Sequence, residues 1–130
     1  MLYYADTSAL AKLVMAEPES AALRAWALSG GRELVSCDLA RTELLRAVRR
    51  QGTEATLAAR AVLDRLTLFA ISTSSYEAAG LVLPLDLRSL DAIHLTAALG
   101  LGDRLAGIVT YDARLTEAAR ASGIAVVAPA

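Results

Sequence analysis

Four carboxylates stand out in this chain by where they fall. Asp6 closes an apolar opening run, Leu2-Tyr3-Tyr4-Ala5, and is followed by two hydroxyl residues, Thr7 and Ser8. Asp112 repeats the arrangement after Ile108-Val109-Thr110-Tyr111, just ahead of Ala113-Arg114-Leu115. Glu43 and Asp91 lie inside helical patterns, beside the apolar stripe instead of opposite it. Leu39 and Ala47 flank Glu43 at i−4 and i+4, and Leu87 and Leu95 flank Asp91. A carboxylate half-buried among apolar groups is costly unless a cation answers it. Gathered in one cleft, four such charges would repel by about 4 kcal/mol per pair at 4 Å and an effective dielectric of 20. A bound hard cation, Mg²⁺ or Mn²⁺, relieves that repulsion and favours oxygen ligands.

Each acid also has a plainer reading. Aspartate at a strand-to-helix junction is a common helix cap, which suits both Asp6 and Asp112, although Thr7 or Ser8 can cap the first helix as well. Glu43 can pair with Arg46 or Arg50. Asp91 sits where the helix dipole stabilises an acid by roughly 0.3–1 kcal/mol, which explains its position along the helix but not its place on the apolar side. His94 is the only histidine, too few for a zinc triad, and reads as a hydrogen-bonded structural residue. Asp103, between Gly102 and Arg104, reads as a turn residue.

The elements that must position these groups alternate. Strands are predicted at the opening run, at Leu34–Cys37, Leu68–Ile71, Ala106–Thr110 and Ile124–Val127. Between them, helices are predicted from Thr7 or Ser8 to Met15, from Glu17-Pro18-Glu19 to Leu28, over Leu39–Arg50 with Asp38 or Ser36 as cap, and over Glu54–Leu66 with Thr53 as cap. Ser74-Ser75-Tyr76-Glu77 has capping-box spacing for a helix to Leu83. Further helices follow from Ser89 to Leu99 and over Ala113–Ala121, with glycines at Gly100, Gly102 and Gly123 as stops. Such alternation implies an α/β fold, a three-layer α/β/α sandwich with a mostly parallel central sheet. In open sheets of this kind, acids at carboxyl ends of neighbouring strands share one crevice. The 130 residues are read as one domain, 1–130, with no repeat or linker.

Composition narrows the class. Apolar residues make up 55% and charged residues 21% of the chain, which is globular. No apolar run reaches membrane-spanning length and no signal peptide is visible, so a cytoplasmic protein is expected. Cys37 is alone, which excludes an internal disulfide. The net charge of −1 lacks the basic excess usual in nucleic-acid binders. The arginines are uneven, however, with Arg41, Arg46, Arg49 and Arg50 in one segment. That cluster reads equally as a solvated helix face or as a local phosphate clamp.

Tyr4-Ala5-Asp6-Thr7-Ser8-Ala9-Leu10, Glu43-Leu44-Leu45-Arg46-Ala47, Leu90-Asp91-Ala92-Ile93-His94-Leu95 and Thr110-Tyr111-Asp112-Ala113-Arg114-Leu115 together resemble the PIN-domain family, in particular the VapC-type toxins of prokaryotic toxin–antitoxin pairs. The resemblance runs to about Ala121. It implies a Mg²⁺- or Mn²⁺-dependent endoribonuclease with catalytic acids at Asp6, Glu43, Asp91 and Asp112. Metal would be held by Asp6, Asp91 and Asp112, and by Glu43 directly or through water. Ser8 and Thr110 would support the acids. Arg46, Arg49, Arg50 and Arg114 would position the RNA backbone. It further implies a homodimer neutralised by a small VapB-like antitoxin that inserts a basic or aromatic side chain into the acidic cleft. A silent PIN-like module binding RNA or a partner, and a PIN nuclease of RNA processing unrelated to toxicity, are the alternatives. The presence of all four acids favours catalysis. A phosphoacceptor receiver domain fits poorly, because Ile71-Ser72-Thr73-Ser74 carries no aspartate and Lys12, the only lysine, comes too early.

Overall fold

The computed structural model describes residues 1–130. Its centre is a sheet of five parallel strands: β1 (Leu2–Ala5), β2 (Glu33–Cys37), β3 (Thr67–Phe69), β4 (Leu105–Val109) and β5 (Val126–Val127), in the order β3-β2-β1-β4-β5. The expected mostly parallel sheet is thus wholly parallel. The helices are α1 (Thr7–Val14), α2 (Ser20–Leu28), α3 (Leu39–Val48), α4 (Thr53–Arg65), α5 (Thr73–Leu81), α6 (Ser89–Leu99) and α7 (Ala113–Ala121).

Strand order decides the layers. The chain first steps outward in one direction, from β1 to β2 to β3, then returns to the other side of β1 for β4 and β5. Right-handed crossovers place the helices of the first run on one face and those of the second on the other. The core divides accordingly. Ala9, Leu10, Leu23, Leu44, Val48, Ala59 and Leu63 from α1 to α4 pack with Ala5 and Val109 on one side of the sheet. Leu95, Ala98, Leu115 and Ala118 from α6 and α7 pack with Tyr4, Cys37 and Ile108 on the other. Alternate strand residues, such as Tyr4 and Ala5, therefore feed opposite cores. The reversal falls between β1 and β4, so the crevice at the carboxyl ends of these neighbours is the topological switch point.

Several element ends differ from the sequence expectation, each for a local reason. At α1 one of the expected caps is realised: Asp6, rather than Thr7 or Ser8, accepts from the Ala9 amide at 3.2 Å. The second helix starts at Ser20 because Ser20 Oγ accepts from the Glu17 amide and donates to Met15 O, folding Pro18 and Glu19 into a turn. Neither Asp38 nor Ser36 caps α3: Asp38 pairs with Arg41 at 2.9 Å, and Ser36 Oγ donates to Ala5 O. Gly52, at φ 102, takes the cap position of α4 in place of Thr53, a backbone conformation that favours glycine. Ser72, not Ser74, caps α5 by accepting from the Ser75 amide. Ile124 bonds back to Ala119 O at the end of α7, which shortens the last strand to two residues.

Candidate active site

β1 delivers Asp6 to the crevice, and the Asp6 amide still pairs with Val109 O of β4 at 3.2 Å. The side chain is 4% exposed. Its Oδ1 accepts from Ser8 Oγ at 2.7 Å as well as from the Ala9 amide, and Oδ2 accepts from Thr110 Oγ1 at 2.8 Å. Burial pushes the carboxyl above its ordinary range; the hydrogen bonds from Ser8, Thr110 and Ala9 oppose this but do not cancel it. Asp6 therefore both caps a helix and stands as a costly, nearly enclosed acid.

Thr110 ties two of the acids together. While its hydroxyl donates to Asp6, it accepts from the Asp112 amide at 3.1 Å and lies 3.3 Å from Ser8 Oγ. Ser8 Oγ in turn accepts from the Tyr111 amide at 2.9 Å. Asp112 caps α7 through Oδ1, which accepts from the Leu115 amide at 2.9 Å. The β1 and β4 ends are thus cross-linked by the hydroxyls of Ser8 and Thr110.

Glu43 projects from α3 across the carboxyl edge of the sheet to the opposite helix layer. Its Oε1 accepts from Thr7 Oγ1 at 2.8 Å and pairs with His94 Nε2 of α6 at 2.5 Å. Neither Arg46 nor Arg50 pairs with it, contrary to the plainer reading from sequence. His94 is 2% exposed, and its Nδ1 lies 2.7 Å from the Tyr4 hydroxyl, which contacts Cys37 Sγ at 3.1 Å. Burial pulls the imidazole down, but its contacts with Cys37 and Glu43 outweigh that and hold its pKa up to about 10. For Glu43, burial raises the carboxyl, whereas the His94 bond and charge with the Thr7 bond bring it below the ordinary range. The expected structural histidine is confirmed, with one addition: it grips a candidate catalytic acid.

Asp91 stands in the first turn of α6, half-buried. Burial raises its carboxyl, and the like charges of Asp112 and Glu43 raise it further against the opposing pull of His94 and Arg88. The four acids accordingly fall into linked groups: Asp6 and Asp112 share Thr110, and Asp91 feels both Asp112 and Glu43. No three acidic, histidine or cysteine side chains stand close enough to grip an ion unaided. Arg46, Arg49, Arg50 and Arg114 are all exposed, Arg46 on α3, Arg114 in the first turn of α7, and the other two in the turn after α3. Asp103 lies in the turn that enters β4, at the opposite end of that strand from Asp112. Thr7, Tyr4 and Cys37 were missed by sequence reasoning. In the sequence Thr7 stands out only as a cap for the first helix, while Tyr4 and Cys37 look like ordinary strand residues.

The chain is similar to known proteins over nearly all of its length. The PIN domain family model matches residues 3–121. Ribonuclease VapC46 of Mycobacterium tuberculosis is 44% identical over 97% of this chain and 96% of its own length. Ribonuclease VapC47 of the same species is 42% identical over 98% and 97%. Among solved structures, M. tuberculosis VapC20, described as a sarcin-ricin loop cleaving toxin, superposes with a TM-score of 0.80 at 18% identity, covering 99% of this chain and all of that one. The VapBC2 structure from Rickettsia felis, bound to a promoter DNA fragment, gives a TM-score of 0.71 at 14% identity over the full length of both chains. These two likenesses concern the fold.

Proposed function

Because the chain belongs to the PIN-domain family, we propose that it is a divalent-metal-dependent endoribonuclease, the toxin of a VapBC-like toxin–antitoxin pair. The observation that carries this reading is the pairing of Asp6 with Asp112 through Thr110 at the switch point, with Asp91 and Glu43 facing it from α6 and α3. The donor chemistry fits Mg²⁺ or Mn²⁺. The acids offer oxygen only, and Asp6 and Asp91 are held above the ordinary carboxylate range by burial, Asp91 by its acidic neighbours as well. His94 is already engaged with Tyr4 and Glu43, which argues against a nitrogen-ligated metal. Asp6, Asp91 and Asp112 would hold the cation partly through its hydration waters, since no three acids stand close enough to ligate it unaided.

When bound, such a metal supplies a more acidic water and a polarised phosphodiester. The chain supplies the rest. Both hydrogen bonds to Glu43 fall on Oε1, leaving Oε2 to orient the attacking water or accept its proton. Ser8 and Thr110 keep Asp6 in one rotamer, so that the acid does not reorganise during the reaction. In-line attack would leave a 5′-phosphate and a 3′-hydroxyl. The single domain would act in the cytoplasm as a homodimer, restrained by a VapB-like antitoxin. No helix is long and apolar enough to cross a membrane.

The test is incubation of the purified, antitoxin-free protein with structured RNAs in Mg²⁺ or Mn²⁺, beside a chelator control and Asp6→Asn. Cleavage with mapped 5′-phosphate ends that needs both metal and Asp6 supports the reading. A folded sample that binds metal yet leaves total cellular RNA intact would instead make the cleft a binding site.

A further inference from the structure

Away from the acids, α3 and α4 enclose a shallow recess of about 470 Å³. It is lined by three arginines, Arg46 and Arg49 from α3 and the turn after it and Arg60 from α4, together with Thr53 and Thr56, the latter with its hydroxyl donating to Gly52 O at 3.1 Å. Leu45 is the one apolar lining residue, and no carboxylate lines it. Every ion pair in the protein involves Lys12, Arg41 or His94, so the three arginines are unneutralised. Like charges brought together without a counterion are unfavourable, so the recess is shaped for an anion. The left-handed backbone of Gly52 turns α4 back against α3, and no side chain caps the first amides of α4 beside it.

We propose that this recess is a phosphate-binding subsite that grips the RNA backbone as it leaves the acidic cleft. The inference rests on the ribonuclease reading above and adds Arg60, which the sequence did not single out. Placement on α3 favours RNA as the source of the phosphate. Glu43 and Arg46 are about one turn apart on that helix, and Arg49 lies about 9 Å beyond Glu43 along the axis at 1.5 Å per residue. One helix thus carries both a candidate catalytic acid and two walls of the recess. Guanidinium forks match phosphate oxygens in bidentate fashion. Contacts of this type fix position without reading bases, so the recess sets affinity and register for single-stranded RNA but not its sequence. Arg50 does not line the recess and has no part in it.

The experiment measures binding of a fluorescein-labelled single-stranded RNA to the full chain by anisotropy, in chelator, across a salt series. The triple variant Arg46→Ala/Arg49→Ala/Arg60→Ala is compared with a charge-matched triple, Arg65→Ala/Arg104→Ala/Arg120→Ala. The recess variant is expected to bind at least about tenfold more weakly, with its log K against log salt slope shallower by about 2, the value for three phosphate contacts on a single strand. The control triple keeps the parent affinity and slope. Single Arg→Lys variants, which retain charge but lose the fork, guard against misfolding of the triple and are expected to lose affinity while keeping most of the slope. Parent-like binding by the recess variant, an equal loss in the control, or no RNA binding by the parent overturns the proposal. If binding behaves as expected but the parent cuts no RNA, the ribonuclease reading fails and the RNA-binding recess stands.

Discussion

At the residue scale, Asp6 is at once a helix cap and a candidate metal ligand, and His94 is at once a buried core residue and the partner of Glu43. Asn caps helices about as well as Asp, so Asp6→Asn is expected to fold and melt within a few degrees of the parent while losing metal-dependent cleavage. Thermal melts beside an RNA-cleavage assay check both halves. Glu43→Gln keeps the shape of the side chain but cannot take a proton, and should lower kcat by about 10²–10⁴-fold, the span of a lost general base. The contacts of His94 with Cys37 and Glu43 also set a pH window. The histidine, held up to about 10, contributes stability that is complete below its ordinary 6.5 and is lost as pH rises through about 10. The glutamate, held below its ordinary value of 4.5, contributes stability present above 4.5 and lost as pH falls through the lowered value. His94→Ala removes the partner of a largely buried carboxylate and is expected to cost about 3 kcal/mol by urea denaturation. It should also flatten the fall in stability of the parent above neutral pH; an unchanged fall would show that another group governs it.

At the scale of elements, the site depends on where helices start. Asp6 and Asp112 are both helix caps and both strand ends, so the capping bonds that begin α1 and α7 also fix the carboxylate rotamers. Thr110 joins those two starts. Thr110→Val keeps the shape but removes the hydroxyl that donates to Asp6 and accepts from the Asp112 amide. An expected loss of about 1–3 kcal/mol follows from leaving buried polar groups unsatisfied, with a loss of cleavage larger than that of stability alone. Comparing the cleavage rate with the folded fraction in the same urea series separates the two effects. On α3 the division of labour runs around the helix: Leu44 and Val48 are fully buried, Glu43 reaches over the sheet edge, and Arg46 remains exposed.

For the molecule as a whole, the acidic crevice works against folding. Asp6 and Asp91 have raised carboxyls, so their contribution to stability is present below their ordinary 3.8 and lost as pH rises through the raised values. Above those raised values the ionised acids strain the metal-free fold, and a cation bound only by the folded state should stabilise it by mass action. Millimolar Mn²⁺ is therefore expected to raise the melting temperature of the parent. Asp91→Asn should melt slightly above the metal-free parent and respond little to Mn²⁺. Equal metal responses in the two proteins would remove Asp91 from the ligand set.

The sequence by itself determined the alternation of strands and helices, the stops at glycines and the four acids in their order. These are local features: apolar periodicity and turn chemistry are written in neighbouring residues, and an acid beside an apolar stripe is visible without knowing what lies opposite. Tertiary structure alone decided which acids share a partner. That Thr110 would join Asp6 to Asp112 follows from β4 lying next to β1, and strand order is set by how the whole core packs. That His94 would hold Glu43 needed α3 and α6 on opposite faces of the sheet with both reaching its carboxyl edge. Arg60 joined Arg46 and Arg49 only once Gly52 had turned α4 back on α3. Contacts of this kind depend on which distant segments are buried together, and no local pattern specifies that.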